Sequence, residues 1–231
     1  MVSLLILTFA SLAAAQWHSK QTIDRVEIIG ASDLSISSVQ PILDSCLRAK
    51  RQALTLAEVR ERVESVPFVR AASVYFSGVR GLTAEIEERR PVAHVVLTDG
   101  SLRYVDNTGT ILPPSDRRTM HCVPLVRTAW NVIPSAAQLA GFVDVLGVAE
   151  STLETSLYQS ISEVILERDG TLRVLTDRAT WRLGRPDPDE ARRAFADMNV
   201  FWGRMSSRPS MAGSSLIDLR WRHHIVLRQH S

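Results

Sequence analysis

At 231 residues the chain exceeds the ~100–150 residues usual for a single hydrophobic core, so two domains are expected. A hydrophobic content of 45% and a charged content of 23% are ordinary for folded proteins and exclude a disordered chain. The net charge of +2, with no run of lysines and no basic stripe interleaved with aromatics, argues against a nucleic-acid partner.

In chain order, the first element is Val2 to Ala15, VSLLILTFASLAAA, which carries no charge and is followed by Trp17. Residues 1–17 are therefore expected in or through a membrane, with an aromatic at the interface. Fourteen residues at ~1.5 Å each span roughly 21 Å, short of a ~30 Å hydrocarbon core. Two readings follow. One is a signal peptide cut after Ala13-Ala14-Ala15; the other is a transmembrane anchor that has lost a cytoplasmic tail and its first part. Both export the chain after about Trp17.

Arg25 to Ile29 (RVEII) reads as a strand closed by Gly30, and Ser35 or Ser37 as the cap of a helix running through Leu47. The stripe Val39, Ile42, Leu43, Cys46, Leu47 has helical spacing and makes Cys46 a small core residue. Cys122 falls in the other expected domain, so a Cys46–Cys122 disulfide is not expected. Thr55-Leu56-Ala57-Glu58 has capping-box spacing and starts a second helix, with Leu56, Val59, Val63 and Val66 on one face and Pro67 as its stop. Val69 to Phe76 is a strand with Ala72, Val74 and Phe76 inward. SGVRG turns the chain, and Leu82 to Glu88 returns antiparallel, with Leu82, Ala84, Ile86 and Glu88 on one face and Thr83, Glu85 and Glu87 on the other, as in a strand with one buried side. Pro91 cannot donate to a ladder, and a new apolar run, VAHVVLTDGSLRYV, begins after it, so a domain junction is expected there.

Beyond the junction, strands are expected at 92–97, 102–105, 110–112 and 123–127, between Asp-Gly, Asn-x-Gly and Pro-rich turns. A helix near 135–147 places Leu139, Phe142, Val143 and Leu146 on one face. Ile161 to Glu167, Thr171 to Thr176 and Ala179 to Leu183 read as a meander. Asp187 to Trp202 reads as a helix with an acidic first turn, ending in core aromatics Phe201 and Trp202. Leu216 to Trp221 and Ile225 to Arg228 form a terminal hairpin.

No catalytic constellation emerges. His223, His224 and His230, with His121 and Cys122, offer metal-binding residue types, but adjacent strand histidines point to opposite faces. There is no G-x-S-x-G, no phosphate loop and no dinucleotide fingerprint. Asp99 and Asp106 occupy turn positions where aspartate bonds its own backbone. No enzyme activity, metal or cofactor is expected.

The order strand, helix, helix, strand, strand, with Gly30, PFV at 67–69, Ala72-Ser73-Val74, Leu82 and the ERRPVA exit at 88–93, resembles the POTRA domain of the bacterial FtsQ (DivIB) family of division proteins. YVDNTGTIL (104–112), VPLV (123–126), the Asp169-Gly170 turn, WRLG (181–184) and IDLRW (217–221) extend the resemblance over nearly the whole chain. Gly78-Val79 stands where the family usually has Trp-Pro, His223-His224 where a glycine is usual, and the family's cytoplasmic tail is missing. The implied fold is α+β: an N-terminal membrane segment, a POTRA domain (β-α-α-β-β) over 24–90, then a larger mixed β-sheet domain with flanking helices over 91–231.

The resemblance implies a noncatalytic scaffold of the division machinery at the septum, single-pass in the inner membrane with its bulk on the envelope side. Its implied partners are FtsB (or DivIC)-like and FtsL-like membrane proteins and other divisome proteins. A POTRA-bearing transport or chaperone module for outer-membrane polypeptides is the alternative. Three sites are expected. Glu88, Arg89 and Pro91 form an interdomain joint where the charged pair bonds across. Ala71, Ala72, Ser73 and Val74 form an edge open to a partner segment. The C-terminal strands form the main contact through Ile217, Asp218, Leu219, Arg220, Trp221, Ile225, Val226, Leu227 and Arg228. There Ile217, Leu219 and Trp221 share one face, Asp218 and Arg220 the other, and one strand has a free edge to which an extended segment can bond.

Overall fold

A computed structural model of the protein describes residues 21–114, 122–205, 215–221 and 224–229. The expected membrane segment at 1–17 lies outside the described residues, as do His121, His223 and His230. Among the described residues, no helix is long and apolar enough to cross a membrane. The chain is mixed α+β with two sheets and divides into two units between Arg89 and Arg90.

The first unit consists of β1 (Arg25–Ile29), α1 (Asp33–Asp44), a 3-10 turn at Arg51–Ala53, α2 (Leu56–Glu64), β2 (Val69–Ser77) and β3 (Gly81–Glu88). Its sheet has the order β1-β3-β2, with β1 parallel and β2 antiparallel to the central β3. Val39, Leu43, Val59 and Val63 of the helices close over Ala72, Leu82, Ala84 and Ile86. The turn out of β1 requires glycine: Gly30 has φ 79°, and a Cβ there would lie 2.5 Å from the Ile86 carbonyl oxygen. Gly78, with φ 64°, makes the β2–β3 turn, and the Arg51 guanidinium donates to its carbonyl at 3.0 Å.

Three local expectations are corrected here. Helix α1 stops at Asp44, not Leu47. The amides of Cys46 and Leu47 turn back to Leu43 and Asp44, and Arg48 takes a left-handed φ of 66°. Cys46 is buried in that turn, whereas Leu47 is exposed. The N-cap of α1 is Ser32, neither Ser35 nor Ser37, and Ser35 is instead buried inside the first turn. Thr55 caps α2 in position, but its side chain makes no capping bond.

What satisfies the start of α1 is a carboxylate from the far end of β3. Glu88 Oε1 accepts from both the amide and the hydroxyl of Ser32, at 2.8 Å each. An acid is favoured at a helix N-terminus, and a charged acceptor binds more strongly than a neutral hydroxyl. Arg89 is tied to the same unit through its amide, which donates to the Phe68 carbonyl at 2.8 Å. Glu88→Ala is therefore expected to destabilise the start of α1 by about 0.5–2 kcal/mol, the range for a lost cap. Hydrogen exchange of the α1 amides should accelerate selectively, and unchanged protection there would contradict this role.

The second unit begins with β4 (Pro91–Val96), β5 (Leu102–Asp106) and β6 (Leu125–Thr128), followed by α3 (Ala136–Thr152) and α4 (Thr155–Gln159). The expected meander follows as β7 (Ile161–Leu166), β8 (Leu172–Thr176) and β9 (Ala179–Arg182). Then come α5 (Pro188–Met205), β10 (Ser215–Asp218) and β11 (Val226–Gln229). The eight strands have the order β11-β10-β9-β8-β7-β6-β4-β5. The expected strand at 110–112 is only a bridge, Ile111 opposite Val105.

Helix α3 starts as expected and runs five residues past 147, because Val148 and Ala149 continue its buried side. Ser135 and Gln138 form a reciprocal capping box at its start. Val143, expected on the buried face, is half-buried at the helix flank. At the start of α5, Asp187 Oδ1 accepts from the amides of Asp189 and Glu190. Phe142, Leu146, Phe195 and Met198 of the two helices pack with Val95, Val126, Val174 and Trp181 of the sheet.

Candidate functional site

The two expected docking edges differ in what covers them. Strand β2 is an outer strand of its sheet, so Ala71, Ala72, Ser73 and Val74 do lie along an edge. That edge is guarded: the Ala72 amide donates to Glu64 Oε1 of α2 at 3.1 Å. A charged side chain laid on an edge amide is one way proteins block strand addition.

Strand β11 is an outer strand of the larger sheet and, among the described residues, pairs with β10 alone. Ile217 stands opposite Leu227, Asp218 opposite Val226 and Leu216 opposite Arg228. Helix α5 carries the chain across so that β10 lies parallel to β9, and this places β11 at the rim. Ile217 and Leu219 point into the core and are fully buried. Ile225 lies just before β11 begins.

Trp221 departs from the expected face. It is 59% exposed, although Ile217 and Leu219, two and four residues before it, are sealed. The reason is local: β10 ends at Asp218, whose Oδ1 accepts from the Arg220 amide at 3.1 Å, a turn in which aspartate bonds the backbone two residues on. Strand alternation stops there. Trp221 in the connection, Ile225 just before β11 and Val226 and Leu227 on β11 are thus all exposed apolar residues.

Arg220, expected to reach an acidic partner, is already engaged within the chain. Its Nε donates to Asp218 Oδ1 at 2.9 Å and its Nη2 to Asp218 Oδ2 at 2.7 Å. Burial works to raise the Asp218 carboxyl, and the hydrogen bonds from Arg220 outweigh it, so the group lies below its ordinary value. Those same bonds raise Arg220. Asp169, in the turn after β7, accepts from the Thr171 hydroxyl and amide and pairs with Arg182 of β9, and it braces the base of the hairpin through Arg220, whose Nη1 lies 4.0 Å from its Oδ2. The Thr171 hydroxyl, then its amide, and the charge of Arg182 hold Asp169 at about 2, below the ordinary 3.8.

A depressed carboxyl contributes stability that is complete above its unfolded value and is lost as pH falls through the folded one. The contribution of Asp169 is therefore expected to fade between about 4 and about 2. Asp169→Asn should flatten that part of the acid-unfolding curve, and an unchanged curve would remove Asp169 from the brace.

The remaining chemistry-bearing residues stay apart. Asp99 accepts from the Ser101 amide and hydroxyl, and fully buried Asp106 accepts from Thr108 and Thr110, so both serve turns. Among the described residues, no three His, Cys, Asp or Glu side chains gather as a metal site. Cys46 and Cys122 are both free. Sequence reasoning missed Glu64 and Asp169 as functional neighbours of the edges. Glu64 carried no signal beyond its place on a polar helix face, and Asp169 was legible only as a turn residue.

No protein-family model matches the chain. The cell division protein FtsQ of Salinibacter ruber is 26% identical over 168 residues, which cover 70% of this chain and 63% of that protein. The cell division protein FtsQ of Rhodothermus marinus is 29% identical over 224 residues, covering 92% of this chain and 80% of that protein. The chain is FtsQ-like, similar to that division protein along nearly its whole length.

Proposed function

We propose that this chain is a noncatalytic scaffold of the cell-division machinery. In this reading its N-terminal segment holds it in the inner membrane at the septum, and its two folded units stand on the envelope side. They recruit and link division proteins there, with FtsB (or DivIC)-like and FtsL-like membrane proteins as partners. The similarity to FtsQ supports the division role. The docking role rests chiefly on the free edge of β11, flanked by exposed Trp221, Ile225, Val226 and Leu227.

An extended partner segment added to that edge pairs its backbone with unpaired strand groups and covers the apolar side chains. Asp218 and Arg220 then act by holding the hairpin in place. The β2 edge is the weaker docking strand, because a segment added at Ala72 must first displace Glu64.

The test is removal of Ile225 to Ser231. Because β11 lies at the rim, its removal takes a neighbour from β10 alone, and β10 stays paired with β9. Calorimetric titration with the envelope-side fragment of an FtsB-like partner should show binding by the full chain and none by a truncation that keeps its circular dichroism. Binding retained by a folded truncation rejects the edge. Normal division after depletion of the protein rejects the division role.

A further inference from the structure

The end of the first unit at which the chain enters it is basic. Strands β1 and β3 start at that end and β2 finishes there. The chain closes around its entering residues: Thr22 bridges Lys50, the Arg51 amide donates to the Gln21 carbonyl at 2.9 Å, and the Asp24 amide donates to the Arg80 carbonyl at 2.9 Å. The segments that meet there, residues 21–25, 45–53 and 77–81, carry five cations, Arg25, Arg48, Lys50, Arg51 and Arg80, against one acid, Asp24, which pairs with Arg80. The segments that close the other end, residues 30–32, 65–70 and 86–89, carry two charges of each sign, so the excess belongs to the entry end and not to loops in general. Asp44, the last residue of α1, accepts from Gln40 of its own helix at 2.7 Å.

Arg48 stands at that end against its own backbone preference. Its φ of 66° lies in the left-handed region, where glycine or asparagine is usual and a long side chain is disfavoured. The other non-glycine residue at such a φ among the described residues is Asn131, one of the usual types. An unfavourable backbone conformation kept at an exposed position points to a use for the side chain. Arg48 and Lys50 are both exposed, and neither side chain has an ion pair or hydrogen bond with the described residues. Leu47 and Val79, in the same segments, are exposed as well, so apolar side chains stand among the cations.

The chain itself determines what lies beside this end. Three residues, 18–20, separate Gln21 from Trp17, which follows the uncharged apolar run. Four steps of at most ~3.6 Å keep Gln21 within about 14 Å of Trp17. With residues 1–17 in the membrane, as proposed above, the basic end therefore stands close to the interface, at a separation comparable with the Debye length of about 10 Å at roughly 0.1 M salt.

We propose that the basic end of the first unit rests on the membrane surface, with Arg48 and Lys50 against the phosphates of anionic phospholipids and Leu47 and Val79 at the headgroup layer. The occupant is a lipid surface because the chain delivers one to this end. Cations on long apolar stems beside exposed apolar residues also suit a layer that is charged outside and apolar beneath. The contact sets how the first unit stands on its anchor. This inference rests on the membrane reading of residues 1–17 and is independent of the β11 edge.

The test places the full chain in nanodiscs of phosphatidylcholine, with or without added phosphatidylglycerol, and follows amide hydrogen exchange. Residues 45–53 and 77–81 should exchange at least about fivefold more slowly in the anionic discs, and residues 65–70 and 86–89 at the same rate in both. High salt should remove the difference. Arg48→Asn combined with Lys50→Gln should remove most of it while melting no lower than the parent, because asparagine accepts the left-handed φ. Equal exchange in the two discs overturns the proposal, as does a double variant that keeps the full difference and only melts lower, which assigns Arg48 to the end of α1. Equal slowing by excess inorganic phosphate in the neutral discs makes a free anion the occupant and overturns it too. Flotation with vesicles of the same two compositions separates this contact from the anchor. A chain that floats with both but exchanges equally loses the contact and keeps the anchor. One that floats with the anionic vesicles alone keeps the contact and loses the anchor, and one that floats with neither loses both.

Discussion

Replacing Trp181 with alanine is expected to destabilise the second unit by about 3–5 kcal/mol, the range for emptying a large buried aromatic site. Trp181 is fully buried and among the largest side chains in the core. It sits on β9 opposite Val174, and Phe201 of α5 meets its ring edge-on at 5.7 Å between centroids. Its Nε1 donates to Thr176 Oγ1 at 3.2 Å, so the indole is satisfied without access to water. Alanine removes the contact between sheet and helix and leaves a cavity that a β-strand flanked on both sides cannot easily collapse. Domains are stable by only about 5–15 kcal/mol, so the loss is a large share of the total. Urea titration followed by circular dichroism should show a lower midpoint with an unchanged slope, and a change below about 1 kcal/mol would deny Trp181 this anchoring role.

The sequence made such positions legible where burial follows a simple period. Alternation along Leu82, Ala84 and Ile86 marked the buried side of β3, and the helical stripe through Leu43 and Cys46 marked core residues. What it could not show were contacts between residues far apart in the chain. The carboxylate that satisfies the start of α1 comes from Glu88, 56 positions after Ser32, and no local pattern connects them. Glu64 guarding the Ala72 amide depends on how α2 lies over β2, which spacing alone does not fix. The parallel placement of β10 beside β9, with β11 outermost, depends on the path of the chain through α5. The candidate hairpin was therefore legible as two strands, and its exposed edge only as an expectation about chain order.

Trp221 illustrates the difference and carries the second large effect. Alternation puts it on one face with Ile217 and Leu219, which are buried, but the turn made by Asp218 and Arg220 releases it and leaves it 59% exposed. An exposed side chain free of special contacts changes stability by no more than about 0.5 kcal/mol when truncated. The same tryptophan, in the connection that leads into outer strand β11 with its exposed Val226 and Leu227, has the residue type of an interface anchor. Trp221→Ala is thus expected to leave the urea midpoint unchanged and to weaken binding of the proposed partner segment by about 2 kcal/mol, roughly 30-fold. Ile217→Ala should do the reverse first: Ile217 is fully buried opposite Leu227, and its truncation should cost about 2–5 kcal/mol of stability. Calorimetric titration and urea unfolding on both variants separate the two roles. A Trp221→Ala protein that loses stability places the indole in the core, and one that binds its partner as tightly as the parent leaves the hairpin edge without an anchor.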